Sequence, residues 1–198
     1  MTSTDDDAPA ASFDAAIIVA GGRSRRLGLD KPEQVVGGVR LLDVALHAVD
    51  GARTIVVGPP RAVPPGVRVV REDPPGTGPL AAIAAGIASL PDDVRVVAVL
   101  ASDLPEIDRG TVEALAGLRA RTGAPVALAE DLAGRAQYLL AVWDAAALRS
   151  ALAAAGDPAG RPIRVVVPAD APRLRVDTGD VDTPEDLRRA RTRHAHRR

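Results

Sequence analysis

The chain has 198 residues, 46 % of them hydrophobic and 26 % charged, which is enough for one domain with a sizeable core. Its 25 basic and 26 acidic side chains nearly balance, and the formal net charge of −1 excludes a general attraction to nucleic acid or to an anionic membrane. The absence of cysteine excludes disulfides, thiolate metal sites and cysteine nucleophiles, and it fits a reducing compartment such as the cytoplasm.

The two ends of the chain differ from the segment between them. Residues 1–13 are mostly small, polar and acidic, without the basic start and apolar centre of a signal peptide, and we expect a disordered leader. Residues 194–198 predict a solvated basic tail, with a functional basic patch as the less favoured interpretation. No apolar run approaches the roughly 20 residues that a membrane span needs. We therefore expect one domain over residues 14–193, in the cytoplasm, without a nucleic-acid or membrane partner.

Short β-branched runs alternate with alanine- and leucine-rich segments of helical length, which is typical of a parallel α/β sheet. The predicted strands are Ala15–Val19, Thr54–Val57, Val67–Val70, Val94–Leu100, Pro125–Leu128, Tyr138–Val142 and Leu174–Val176. The predicted helices are Leu41–Val49, Pro79–Leu90, Asp108–Arg121, Asp144–Ala155 and Pro184–Arg193. Ligands of open α/β sheets bind beyond the carboxyl ends of the strands, so we expect functional residues directly after strands.

The segment that follows the first strand, GGRSRRLGLDK, carries the strongest functional signal in the chain. Gly21 and Gly22 permit backbone conformations in which successive N–H groups face an anion. Four basic side chains follow within a few residues, and the last of them, Lys31, is the single lysine beside 24 arginines. The segment lacks both the Gly-Lys-Ser/Thr ending of the P-loop and the G-x-G-x-x-G spacing of dinucleotide folds. It therefore predicts a polyphosphate site of another kind.

Four segments resemble, in order, the motifs of the molybdenum cofactor guanylyltransferases. VAGGRSRRLGLDK resembles the L-A-G-G-x-S-x-R-M-G-x-D-K signature, with Val19 in place of Leu and Leu27 in place of Met. REDPPGTGPL, ASDLP and VDTPEDL resemble the E-D-x-x-x-x-G-P-L, C-D-x-P and N-T-P-E-D-L segments. The resemblance implies a single-domain, Rossmann-like α/β/α sandwich of three layers. Its sheet would be mostly parallel with one antiparallel strand, as in the nucleotide-diphospho-sugar transferases.

The resemblance also implies a reaction. It indicates a Mg²⁺-dependent nucleotidyltransferase that moves GMP from GTP to a molybdopterin-type phosphomonoester and releases pyrophosphate. Such catalysis depends mostly on positioning and on stabilising charge. Three alternatives stay open: another nucleoside triphosphate such as CTP, an acceptor that is a sugar or hydroxy-acid phosphate, and a non-catalytic nucleotide-binding regulatory module. The oligomeric state is not predicted.

The resemblance assigns roles to residues of the nucleotide site. Arg26 would neutralise the leaving pyrophosphate, and Lys31 would contact the α-phosphate. A compact ammonium can follow one phosphate oxygen, whereas the planar fork of an arginine has a different geometry. The implied nucleotide-binding residues are Val19, Ala20, Gly21, Gly22, Ser24, Lys31, Asp73, Gly78 and Asp103. Family members can place an asparagine where this chain has Gly58, so the choice of base is not predicted.

A metal site is implied by two aspartates. Asp103 follows the longest apolar run, and a carboxylate at the carboxyl end of a strand suits Mg²⁺, which prefers one or two carboxylates plus substrate phosphates. The competing interpretation of Asp103 is a turn or helix cap before Pro105. Asp182 aligns with an asparagine of the family pattern, and it is either a second metal ligand or a residue that starts the last helix.

The acceptor side carries a weaker signal. The segment AEDLAGRAQYLLAVW resembles the family region that enters the antiparallel strand, and there Arg135 and Gln137 would face the acceptor. Tyr138 and Trp143 are scarce aromatic residues that could stack on a flat ring. Core packing is the favoured interpretation of Trp143.

Overall fold

The computed structural model describes residues 13–21, 29–177, 179, 181 and 183–195. The strands are β1 (Ala15–Val19), β2 (Val35–Val36), β3 (Val39–Arg40), β4 (Arg53–Val57), β5 (Arg68–Val70), β6 (Val96–Ala101), β7 (Val126–Glu130), β8 (Ala136–Asp144) and β9 (Arg173–Arg175). The helices are α1 (Leu41–Ala48), α2 (Pro79–Ala88), α3 (Arg109–Thr122), α4 (Ala145–Ala155) and α5 (Pro184–Ala195). Within the described ranges, no helix combines the length and the apolar character that crossing a membrane requires.

The seven predicted strands and five predicted helices are all present, and their ends differ from the prediction by at most two residues. The sequence analysis missed the β2–β3 hairpin and two short 3-10 helices, Lys31–Glu33 and Ile163–Val165. The hairpin strands have two residues each, too few for an alternating pattern to be recognised.

A seven-stranded sheet in the order β5-β4-β1-β6-β8-β7-β9 forms the centre of the molecule. β8 runs antiparallel to both of its neighbours, and the other pairings in this sheet are parallel. The predicted, mostly parallel sheet with one antiparallel strand is thereby confirmed, and the β2–β3 hairpin is a small additional sheet. β1 lies between β4 and β6, so both of its edges are hydrogen-bonded.

Helices cover the sheet on both faces and give the three predicted layers. The side chains of Ala15, Ile17 and Val19 face α2 and α4 in one core. Those of Ala16 and Ile18 face α1 and α3 in the other. Successive side chains of β1 therefore enter opposite cores, and for that reason the whole strand is apolar.

Helix α5 lies outside these two cores. Leu187 and Ala190 pack with Val36, Leu41 and Val181 in a third, smaller apolar cluster. The helix runs to Ala195, so its last two residues belong to the segment predicted as a basic tail. The segment before α5 lies close to the loop that follows β6. There the Val181 N–H donates to the Asp103 carbonyl oxygen at 3.2 Å.

Glycine at position 86 allows α2 to approach β1 closely. A Cβ atom at Gly86 would lie 2.6 Å from Cγ2 of the buried Ile17. The start of α2 lines the cleft described below, so this contact sets the distance between two walls of the site.

We expect Gly86→Ala to lower the free energy of unfolding by about 1–3 kcal/mol, the usual cost of overpacking a core. Gly110→Ala is the matched control, because Gly110 is also helical but its nearest neighbour would be 3.6 Å from the new Cβ. In Gly110→Ala the gain in helix propensity, up to about 1 kcal/mol, should leave the free energy of unfolding unchanged or raise it. Urea unfolding of both variants measures the difference, and equal stabilities would contradict the close packing.

Candidate active site

The carboxyl ends of β1 and β6 meet the start of α2 at one edge of the sheet. A cleft of about 540 Å³ opens there. Its lining residues are Val19, Ala20, Gly21, Lys31, Pro32, Glu72, Gly76, Gly78, Pro79, Ala82, Ala101, Ser102, Asp103 and Leu139. Six of the nine residues that the family resemblance assigned to the nucleotide are among them.

Four of the predicted site residues lie outside the described ranges: Gly22, Ser24, Arg26 and Asp182. The roles assigned to them stay predictions.

Backbone hydrogen bonds fix the floor of the cleft. The Ala20 N–H donates to the Val57 carbonyl oxygen at 2.8 Å, and the Ser102 N–H donates to the Val19 carbonyl oxygen at 3.2 Å. The residues that follow β1 therefore continue the pairing with both neighbouring strands, which places them accurately beside Asp103.

Lys31 and Asp103 form an ion pair inside the cleft. Lys31 opens a 3-10 helix and Asp103 follows β6, and their Nζ and Oδ2 atoms are 3.3 Å apart. The side chains are 15 % and 24 % exposed, so a ligand in the cleft can reach both of them. The site thus presents one cation that suits a phosphate and one carboxylate that suits a metal ion.

The glycine at position 58 lies directly against the end of β1. A Cβ at Gly58 would be 2.6 Å from the Ala20 carbonyl oxygen and 2.9 Å from the Gly21 nitrogen. The asparagine that the family pattern can place here does not fit this backbone arrangement. The cleft therefore has no polar side chain at this position.

The acidic pair Glu72-Asp73 is divided between the cleft and solvent. Asp73, the predicted nucleotide contact, is exposed and does not line the cleft. Glu72 lines it and is 7 % exposed, and its Oε1 accepts a hydrogen bond from the Gly76 N–H at 2.8 Å. Sequence reasoning missed Glu72, although its place beside Asp73 in the motif was the available signal.

Helix α2 adds backbone donors to the same cleft. Gly78 precedes the helix with a φ of 106°, a conformation that favours glycine, and Pro79 occupies the first turn. Gly78, the residue before the helix, provides no side-chain cap. The N–H groups of a first helical turn and the helix dipole suit an anion.

The two predicted acceptor residues lie in a neighbouring cavity of about 650 Å³. Asp131 holds them: its Oδ2 accepts from Arg135 Nε at 2.8 Å and from Gln137 Nε2 at 3.3 Å. Gln137 also lines a third cavity of about 290 Å³, which includes Asp103. This third cavity shares Asp103 with the cleft and Gln137 with the cavity of Arg135, so it lies between the other two.

The two aromatic residues of β8 are divided between cavity and core. Tyr138 lines the third cavity and is partly exposed. Trp143 is 2 % exposed and belongs to the core on one face of the sheet, which confirms the favoured interpretation.

Asp131 was not recognised in the sequence, and its hydrogen bonds change its titration. The backbone N–H of Arg135 is the main cause that holds the pKa of Asp131 below its ordinary value, while burial opposes this shift. The Arg135 guanidinium and the Ala133 N–H lower the pKa further. The carboxylate therefore stabilises the folded state above its unfolded pKa, and this contribution is lost as the pH falls through the folded pKa.

We expect Asp131→Asn to lower the Tm at pH 7. The Tm difference between the variant and the unsubstituted protein should shrink as the pH falls below about 4. Asp170→Asn, at an exposed position, is the matched control and should leave the Tm near the unsubstituted value. Thermal unfolding across pH 7 to 3 measures this. A constant difference at all pH values would contradict a stabilising role of the charge.

A family profile described as "MobA-like NTP transferase domain" matches residues 16–166 of the chain. The chain belongs to this family. It is therefore a nucleotidyltransferase, as the sequence motifs indicated.

Two mycobacterial relatives agree with this membership. A protein of Mycobacterium tuberculosis H37Rv named probable molybdenum cofactor guanylyltransferase is 35 % identical over 136 residues, 65 % of this chain and 67 % of its own. One of the same name from Mycobacterium ulcerans is 31 % identical over 190 residues, 88 % of this chain and 93 % of its own.

Two solved structures share the fold. The Archaeoglobus fulgidus molybdopterin-guanine dinucleotide biosynthesis protein A superposes with a TM-score of 0.68 at 19 % identity, covering 92 % of this chain and 99 % of that one. The Thermus thermophilus 2-C-methyl-D-erythritol 4-phosphate cytidylyltransferase superposes with a TM-score of 0.65 at 20 % identity, covering 92 % and 100 %. The likeness shows a common architecture for this family and a cytidylyltransferase.

Proposed function

We propose that this nucleotidyltransferase moves GMP from GTP to a molybdopterin-type phosphomonoester, with Mg²⁺ and with release of pyrophosphate. The observation that carries the proposal is the Lys31–Asp103 pair, which faces a cleft walled by the end of β1 and the start of α2. The names of the two mycobacterial relatives supply the guanylyl group and the molybdenum cofactor.

The groups of the cleft match the charges of a triphosphate. The Gly21 N–H and the first turn of α2 offer backbone donors, and Lys31 offers a full positive charge beside the α-phosphate. In the reaction an oxygen of the acceptor phosphate bonds to the α-phosphorus, and the bond from that phosphorus to the pyrophosphate oxygen breaks. Lys31 stabilises the charge that develops on the α-phosphate oxygens. Arg26 is proposed to neutralise the pyrophosphate.

The residues present suit a magnesium ion. Asp103 offers a carboxylate that is 24 % exposed at the end of β6. The described part of the chain has no group of three or more acidic, histidine or cysteine side chains that could bind a metal, so substrate phosphates would complete the coordination. When bound, Mg²⁺ neutralises phosphate charge. Asp182 stays a proposed second ligand.

The acceptor is proposed to occupy the two cavities that lie between Asp103 and Arg135. Gln137 lines both of these cavities, and Tyr138 adds an aromatic side chain to one of them. Asp131 already binds Arg135 and Gln137 and orients them. A phosphomonoester with a flat ring system fits this combination of polar and aromatic groups.

Gly58 favours a second candidate within the same reaction class. Its close contact with the Ala20–Gly21 peptide means that position 58 itself offers no side chain to the base or sugar. A different donor, such as CTP, with a sugar or hydroxy-acid phosphate as acceptor, is therefore the alternative.

We expect pyrophosphate release when the protein is incubated with Mg²⁺, GTP and molybdopterin. The same assay with CTP, ATP and UTP, and with sugar and hydroxy-acid phosphates, identifies the donor and acceptor. Release with CTP and a sugar phosphate alone would replace the guanylyl proposal by the alternative. No release with any combination, from folded protein, would contradict enzymatic turnover.

We expect Lys31→Arg and Asp103→Asn each to lower kcat by about 10²-fold or more, the scale for losing one group that stabilises transition-state charge. Asp170→Asn, on an exposed segment away from the cleft, is the control for the loss of a carboxylate and should retain full activity. Steady-state rates and Tm values are measured together. Near-normal kcat in Lys31→Arg would show that a guanidinium serves as well as an ammonium.

A further inference from the structure

Arg61 carries a buried charge that neither the motifs nor the cleft accounts for. It lies after β4, and its side chain is only 4 % exposed. A charge removed from water is tolerated only where partners replace the lost hydration. Arg61 has such partners: its Nη1 lies 3.1 Å from Glu33 Oε1 and 3.6 Å from Asp30 Oδ2, and its Nη2 donates to the Ala20 carbonyl oxygen at 2.8 Å.

The hydrogen bond to Ala20 determines the direction of a backbone donor in the cleft. The Ala20 carbonyl and the Gly21 N–H belong to one planar trans peptide, so they point in opposite directions. By holding the carbonyl oxygen, Arg61 sets the direction of the Gly21 N–H. Gly58 packs against the same peptide, which prevents it from tilting towards β4.

The ion pairs of Arg61 determine the position of Lys31. Asp30 and Glu33 lie on either side of Lys31, at the start and the end of its 3-10 helix. Glu33 is also bound by Arg40, at 3.1 Å, which joins the helix to the start of α1. The backbone that carries the lysine is thereby tied to the loop after β4 and to α1.

We propose that Arg61 is a positioning residue of the active site, and that its one guanidinium aligns the Gly21 amide and the Lys31 ammonium on the same triphosphate. This proposal rests on the proposed function. Arg61 does not line the cleft, so it acts through these two groups. Its planar fork bonds several partners in fixed directions, which the single ammonium of a lysine does not reproduce.

The test compares Arg61→Lys and Arg61→Met with the control Arg53→Lys. Arg53 is 57 % exposed and pairs with Asp93 on the surface, away from the cleft. We expect Arg61→Lys to lower kcat/KM by about 10²-fold, as small misplacements of reacting groups do. Arg53→Lys should keep full activity. The Tm and circular dichroism of each variant establish that it is folded, and Arg61→Met replaces Arg61→Lys if the latter fails to fold.

A double-mutant cycle with Lys31→Ala separates positioning from a general structural effect. If Arg61 acts partly through Lys31, Arg61→Lys lowers kcat/KM less than 10-fold in the Lys31→Ala background, because coupled residues are not additive. An equal factor in both backgrounds, or full activity of folded Arg61→Lys, would overturn the proposal.

If the unsubstituted protein turns over no triphosphate, that result counts against the proposed function. A binding measurement then still tests the role of Arg61. The increase in Tm caused by Mg²⁺ and GTP reports binding without turnover. We expect a smaller increase for Arg61→Lys than for Arg53→Lys. Equal increases in the two variants would overturn the role of Arg61.

Discussion

The ion pair between Lys31 and Asp103 joins segments that are 72 residues apart in the chain. It forms because β1 and β6 are parallel neighbours in register, with Val19 opposite Ala101, so the chain leaves both strands at the same edge of the sheet. Both side chains remain partly exposed, so a ligand in the cleft can reach each of them. A triphosphate and a metal ion could therefore replace the two partners of the pair, and the surrounding structure has to supply the rigidity.

Much of that rigidity around Lys31 comes from charge. Arg61 and Arg40 both bind Glu33, and Arg40 also binds Asp43 at 2.7 Å, so the network runs from the loop after β4 to α1. Arginine suits these positions because its guanidinium serves several partners at once. The lysine at position 31 has the opposite property, a single charge on a flexible stem, which suits the proposed contact with one phosphate oxygen.

The elements of the sheet could be predicted because its strands are buried on both faces and read as continuous apolar runs. The rule that ligands bind beyond the carboxyl ends of parallel strands pointed to Gly21 and Asp103, and the family resemblance added Lys31. Other features depend on contacts that only the folded structure shows. In the pair Glu72-Asp73, Glu72 is the carboxylate that lines the cleft, and it accepts a hydrogen bond from the Gly76 N–H. Arg61 is one of 24 arginines, and only its burial distinguishes it.

The composition makes it possible to test whether Lys31 contacts the phosphates of a bound nucleotide. Lys31 is the single lysine of the chain, so protein made with isotope-labelled lysine has one set of lysine side-chain resonances. In the presence of Mg²⁺ we expect GTP to shift the ε-CH₂ and ammonium resonances of Lys31, whereas guanosine, which lacks phosphates, leaves them in place. Unchanged resonances at a GTP concentration that saturates binding by calorimetry would contradict the account.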